Sequence, residues 1–423
     1  MYPTLLGMVA MVSYNVADTW FIGQLGAAEL AAVSFTFPVV LFIGAVTVGL
    51  AHGTSSVCAR LFGEDRPADV GRVALHSILL GVLVGLGFLA LGLTTIEPLF
   101  RLLGADAETL PIIERYMRIY YFGGVFMVVP LVVNPVMRAA GDARTPAIIV
   151  SAAALLNVVL DPILIFGLLG APRLGIEGAA IATVAANAVM MVAAILSLRF
   201  RHQLMSFDSW HLPLLIDSWR RVLHVGLPSI ASTVIGPLTI AFITRQVAQF
   251  GQDAVAGFGI ASRIEGLMIL VLMALSVAVA PFVGQNHGAR LPERVTAGLG
   301  WSQRFSLAYG AGCAALLALT GATIASAFTD NETAIATASL HLSIVPVSYM
   351  ALGIALMATS SFNAVGRPLP GLLVSMTRTI LVYAPLAFLF ARLFGLPGIF
   401  AAASTANFAA GMCGFLLSRR ALI

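Results

Sequence analysis

Along the 423 residues, apolar positions do not mark one face of a helix; they continue for twenty or more residues at a time and are broken by short polar turns. Such runs exceed what a buried core helix needs and match a bilayer-spanning helix. Twelve spans are predicted, near 2–23, 31–57, 73–95, 112–137, 147–170, 178–199, 223–248, 254–283, 299–328, 335–362, 371–394 and 398–418. The first lacks a basic start and a small-residue cleavage site, so it reads as helix 1 and not as a removable leader. The expected fold is an all-α polytopic membrane protein.

The pattern repeats. Gly26 and Gly63 recur as Gly251 and Gly288 at an offset of 225, and Gly175, Gly178 and Asn187 recur as Gly395, Gly398 and Asn407 at an offset of 220. Six spans per repeat is an even number, so both halves enter the membrane from the same side and form two parallel-repeat six-helix bundles, expected around a central cavity. The predicted organisation is an N-terminal lobe at 1–200, a cytoplasmic linker at 201–222 and a C-terminal lobe at 223–423.

Composition agrees: 59% hydrophobic, 10% charged. The net charge of +4 comes from 23 arginines, without one lysine, gathered at loop ends. That is a membrane-topology signal and not a nucleic-acid patch. Arginines crowd the loops after even-numbered spans (Arg60, Arg66, Arg138, Arg144, Arg199, Arg201), and few lie opposite (Arg101, Arg115, Arg173, Arg392). By the positive-inside rule both termini are expected to be cytoplasmic, in a bacterial-type inner (plasma) membrane. Cys58, Cys313 and Cys413 are far apart, with no metal-ligand spacing. No metal site and no cofactor are expected, and a monomer is.

Two aspartates, Asp18 and Asp161, sit deep inside spans of the first half. A carboxylate at mid-bilayer costs about 2.5–3.5 kcal/mol to insert, and such residues mark ion and proton pathways. Asp18 lies 15 residues beyond Pro3, and Asp161 lies 15 beyond Pro146. At 1.5 Å per residue both stand about 22 Å above the inner edge. Thr183 and Asn187, descending on span 6, reach the same layer, and Asn157 shares a helix face with Asp161 at the i, i+4 spacing. Asp18, Asn157, Asp161 and Thr183 are therefore the candidate cation-coupling cluster. Pro162, inside span 5, frees a backbone carbonyl one turn earlier. All-oxygen ligands suit a proton or Na⁺ and not zinc or copper. Asn187 and Tyr14 are secondary candidates, as is Glu265, an acid near mid-membrane in the second half. Neither aspartate has an acidic counterpart there: the equivalent positions hold Ile243 and Tyr383.

Several motifs carry a family resemblance: VADTWFIGQLG at 16–26, RAAGDARTP at 138–146, LNVVLDPILIFG at 156–167, SRIEGL at 262–267 and PFVGQNHGA at 281–289. In order and spacing they resemble the multidrug and toxic compound extrusion (MATE) family, nearest its DinF-like branch. The resemblance implies a secondary active multidrug efflux antiporter that exports cationic or amphipathic organic compounds against protons, with sodium as the alternative ion. It implies coupling through Asp18, Asn157, Asp161 and Thr183, and a bend of helix 1 at Pro3. Span 10 holds no acid, which departs from the second-half cation site of the NorM-like branch. The chain also begins almost at Pro3, where family members usually carry a polar segment. Small organic substrates and the bilayer are the expected partners. A lipid-linked oligosaccharide flippase of the same superfamily is the alternative; it needs basic residues in its cavity, and only Arg245, Arg263 and Arg378 are placed for that. An enzyme is not expected, since neither HExxH nor GxSxG occurs.

Overall fold

A computed structural model describes residues 1–205 and 211–421. Of the expected linker at 201–222, residues 206–210 lie outside the described residues. The described residues are almost entirely helical, without a strand. The first seven helices are α1 (Tyr2–Gly23), α2 (Ala27–Gly63), α3 (Pro67–Leu102), α4 (Leu110–Phe122), α5 (Gly124–Ala139), α6 (Arg144–Phe166) and α7 (Ile176–Leu196). They are followed by α8 (Leu212–Val247), α9 (Gln252–Gly288), α10 (Pro292–Ser326), α11 (Glu332–Ile344), α12 (Tyr349–Ala364), α13 (Pro368–Met376), α14 (Ala384–Phe394) and α15 (Leu396–Ala421).

Among the described residues eleven stretches are long and apolar enough to cross a bilayer, and α4 with α5, bent by 46° at their junction, supplies a twelfth if the pair counts as one span. The bend falls at Gly123 and Gly124, adjacent glycines that tolerate a break in the helical ladder. Two second-half spans are also interrupted. A 3₁₀ turn at Val345–Ser348, opened by Pro346, separates α11 from α12, and a π-helical turn at Thr377–Tyr383 separates α13 from α14.

The chain divides into two compact units, Met1–Leu227 and Pro228–Ile423. The division falls within α8, which starts at Leu212, ahead of the span expected from 223. Residues 212–227 pack with the first unit: Trp219 Nε1 donates to the His76 carbonyl at 2.7 Å, and His76 Nδ1 meets Ser218 Oγ at 2.9 Å. The backbones approach so closely that a β-carbon on Gly53 would lie 2.2 Å from the Val222 carbonyl oxygen.

The repeat glycines do the same local work in each unit. Gly26 precedes α2 with φ 154°, and Gly251 precedes α9 with φ 105°; each starts a 37-residue helix from a backbone conformation that a side chain disfavours. In the first unit, one apolar cluster joins α2, α3 and α5 around Val57, Val73, Val129 and Val133. Another joins the helices bearing Ile22, Phe100, Ile113, Met117 and Ile165. The second cluster walls the layer that holds the acids.

Candidate functional site

Within the first unit α1 packs along α6, α6 along α7, and α7 against α4. The α6–α7 contact is tight: a β-carbon on Gly178 would lie 2.5 Å from the Leu164 carbonyl oxygen, so only glycine lets α7 start that close. That approach brings Asn157 and Thr183 within reach of each other.

Asn157 Nδ2 donates to Thr183 Oγ1 at 3.3 Å and to Asp161 Oδ1 at 3.4 Å, so one amide bridges two helices. Asp161 is 0% exposed, Asn157 2% and Thr183 8%, although two of the three carry strong solvation needs. Asn187, one turn further along α7, donates to the Thr183 carbonyl at 2.8 Å and so braces the helix behind the hydroxyl. Oδ2 of Asp161, Oδ1 of Asn157 and Oδ1 of Asp18 are buried without a hydrogen-bond partner among the described residues. Asp161 lies in the field of Asp18. No arginine or histidine pairs with either acid among the described residues.

Tyr14, one turn before Asp18 on α1, lies within the field of both carboxylates. Sequence reasoning missed two further tyrosines. Tyr116 and Tyr120 on α4 stack with ring centroids 6.0 Å apart; Tyr116 feels both acids and Tyr120 feels Asp18. The signal for them was the amphipathic pattern of α4, in which Ile113, Tyr116, Met117 and Tyr120 share the face opposite Arg115 and Arg118. Pro162 lies inside α6, where it leaves the Val158 carbonyl without its usual donor. Pro3 occupies the first turn of α1, so it starts the helix and does not interrupt it.

These groups make an oxygen-lined position with two acids and no fixed counter-charge. A buried carboxylate pair without a basic partner favours a bound cation, a proton or an alkali ion, because two like charges in low dielectric repel strongly. No group of three or more His, Cys, Asp or Glu suited to a metal ion occurs among the described residues.

Glu265 lies in a separate setting in the second unit. Its Oε2 meets Nε2 of His341 on α11 at 3.0 Å, and the imidazole is 2% exposed. Phe400 and Phe258 pack edge-on against the ring, at 4.8 and 5.5 Å between centroids. Span 10 thus answers Glu265 with a histidine, a partner that a search for acids passes over.

Up to twelve bilayer-length spans among the described residues, with a fully buried Asp161 and a half-buried Asp18 in the first unit, are the features of a membrane transporter. The sequence profile of the MatE family matches twice, at residues 3–163 and 228–389, with starts 225 residues apart (228 − 3), and the chain belongs to that family. It is 36% identical over 419 residues to the FAD transporter of Shewanella oneidensis, covering 99% of this chain and 92% of the relative. It is 24% identical over 402 residues to the multidrug export protein MepA of Staphylococcus haemolyticus, covering 94% and 87%. Among solved structures it resembles an aspartate-to-asparagine variant of the Vibrio cholerae MATE transporter VcmN. The TM-score is 0.95 and the identity 29%, over 100% of this chain and 95% of that one.

Proposed function

We propose that this MATE-family transporter is an ion-coupled exporter of small organic molecules. It sits in the plasma membrane with both termini in the cytosol, and works by alternating access. The observation that carries the reading is Asp161: fully buried, bridged through Asn157 to Thr183, with one oxygen unpartnered and a second acid, Asp18, in its field. A cation bound there in one conformation and released in the other gives the two states the differential affinity that a gradient needs in order to drive a cycle. One pH unit supplies about 1.4 kcal/mol per proton, and 100 mV about 2.3 kcal/mol per net charge moved. Exchange of one proton for one monovalent organic cation draws only on the pH gradient; two protons draw on both.

The substrate class is proposed from the relatives: amphipathic organic compounds of the multidrug type, and flavin nucleotides on the strength of the relative described as an FAD transporter. The test uses purified protein in liposomes with an imposed proton or sodium gradient and a fluorescent cationic dye outside or FAD inside. One gradient is expected to drive transport, and Asp161→Asn to reduce the driven component about a hundredfold or more while facilitated leak persists. Full gradient-driven transport by the Asp161→Asn protein would overturn the assignment and shift attention to Glu265.

A further inference from the structure

We propose that Arg138, with His52 beside it, forms a phosphate-binding position in the cytosol-facing third of the first unit, a site for the phosphate group of an organophosphate solute. The orientation rests on the reading given under Proposed function.

Arg138 stands one residue from the end of α5, within the RAAGDARTP motif, and is half-buried. Among the described residues its guanidinium has no hydrogen bond and no carboxylate partner. Other half-buried arginines here are answered: Arg72 by Asp69 at 2.7 Å, and Arg60 by the Ser56 carbonyl at 3.1 Å. Its guanidinium stays accessible and is not sealed in the packing. Side chains on a helix lean toward its N-terminus, and α5 runs from the outer side inward, so Arg138 leans back into the bundle, the reverse of snorkelling. Its field reaches His52 on α2, 11 residues before that helix ends at Gly63 (63 − 52) and so about 16 Å inside it. Nδ1 of His52 is buried with no hydrogen-bond partner among the described residues.

An accessible guanidinium without a protein partner among the described residues, beside an imidazole whose Nδ1 also has none, is stabilised inside a membrane bundle by an anion. The negative end of the α5 macrodipole offsets part of this but offers no acceptor to the planar fork. Guanidinium presents parallel N–H donors that fit two oxygens of one phosphate, and a neighbouring imidazole supplies a further donor. This chemistry is opposite in sign to the Asp18 and Asp161 cluster near the outer face, so one bundle presents an anion position and a cation position at different depths. The phosphate can belong to a soluble nucleotide-like solute or to a lipid headgroup; the fork recognises the same group in both.

The test is equilibrium binding of riboflavin, FMN and FAD, read by quenching of flavin fluorescence, to the full chain in phosphatidylcholine nanodiscs. The three ligands share one ring system and differ in having no phosphate, one phosphate and a pyrophosphate. FMN and FAD are expected to bind about tenfold or more tightly than riboflavin, and Arg138→Gln to bring all three within about twofold. Arg138→Lys, which keeps the charge without the fork, is expected to retain part of the preference. It serves as the second variant should Arg138→Gln fail to give monodisperse protein. A parallel series in discs containing phosphatidylglycerol separates the sources. If headgroups fill the position, anionic lipid weakens FMN binding to the native protein and leaves the Arg138→Gln protein unaffected, which assigns the site to lipid. Equal binding of riboflavin and FMN by the native protein, with no lipid effect, overturns the proposal, as does a phosphate preference that survives Arg138→Gln. Gradient-driven dye transport without phosphate preference defeats this inference alone; phosphate preference without gradient-driven transport defeats the coupling reading alone.

Discussion

Asn157 is the residue on which the first-unit cluster turns, because a single amide nitrogen satisfies both Asp161 and Thr183. Removing the hydroxyl by Thr183→Val leaves a buried donor with one acceptor fewer, a loss of about 1–3 kcal/mol in the state that holds the bridge. Ion affinity, measured from the pH or sodium concentration that half-saturates driven dye transport, is expected to fall about tenfold, and Thr183→Ser to restore it. An unchanged half-saturation point in Thr183→Val would show that the hydroxyl only packs. This much of the site was legible because helical geometry converts sequence number into both face and depth: i, i+4 for Asn157 and Asp161, and a common layer for Thr183. Tyr116 and Tyr120 were partly legible, since Arg115 and Arg118 mark the outer face of α4 and leave the tyrosines on the opposite one. His341 was not: α11 carries no acid or arginine after Glu332, and hydropathy is silent about rotation around its axis.

At the scale of elements, the start of α6 shows how a polar loop holds a site helix in place. Asp142 Oδ1 accepts from the backbone N–H groups of Arg144 and Thr145, both at 2.9 Å, and Oδ2 accepts from Thr145 Oγ1 at 2.5 Å; Arg201 Nε approaches at 3.6 Å. Those bonds satisfy donors that the first turn of a helix leaves free. Burial pushes the Asp142 carboxyl upward, but the Thr145 and Arg144 hydrogen bonds and the Arg201 charge outweigh it and leave the group below its ordinary 3.8. A carboxyl depressed in the folded state stabilises above its unfolded value and loses that contribution as pH falls through the folded one. The Thr145 and Arg144 bonds that anchor α6 are therefore expected to persist down to pH 5 and to weaken only below about 4, with His202 Nε2, 3.4 Å from Oδ2, adding attraction once protonated. Asp142→Asn, which keeps an acceptor but loses the charge and Oδ2, is expected to destabilise by about 1 kcal/mol at neutral pH and to converge with the native protein in acid. Thermal unfolding in detergent across that range checks both parts; a gap that stays constant down to pH 3 would rule out the carboxylate as its source. The sequence marked this loop as a turn but not its partner, since Arg201 lies 59 residues away (201 − 142) and meets Asp142 only after α7 has folded back.

For the whole molecule, the offset of 225 that recurs in the glycines and in the two matched MatE segments makes the halves legible as halves, because each must restart a long helix from a positive-φ glycine. Hydropathy does not mark where one compact unit ends and the next begins. That boundary lies inside a continuous helix, between Leu227 and Pro228, and residues 212–227 are held to the first unit by Trp219, Ser218 and the backbone approach at Gly53 and Gly226. A chain interrupted between 205 and 206 should therefore stay associated, since the stretch that follows the cut carries its own attachment. Fragments 1–205 and 206–423, co-expressed with a tag on one, are expected to purify together from membranes. Gly53→Leu places a side chain where even a β-carbon would stand 2.2 Å from the Val222 carbonyl oxygen. Overpacking of that kind is worth about 1–3 kcal/mol or more, which lowers the recovered partner by roughly 5- to 150-fold. Conservative Gly53→Ala is expected to fall between, because the clash is with backbone and the helix must shift to admit even one methyl group. Recovery that is insensitive to both substitutions would mean that the fragments are joined elsewhere, and that the attachment of 212–227 adds nothing to assembly.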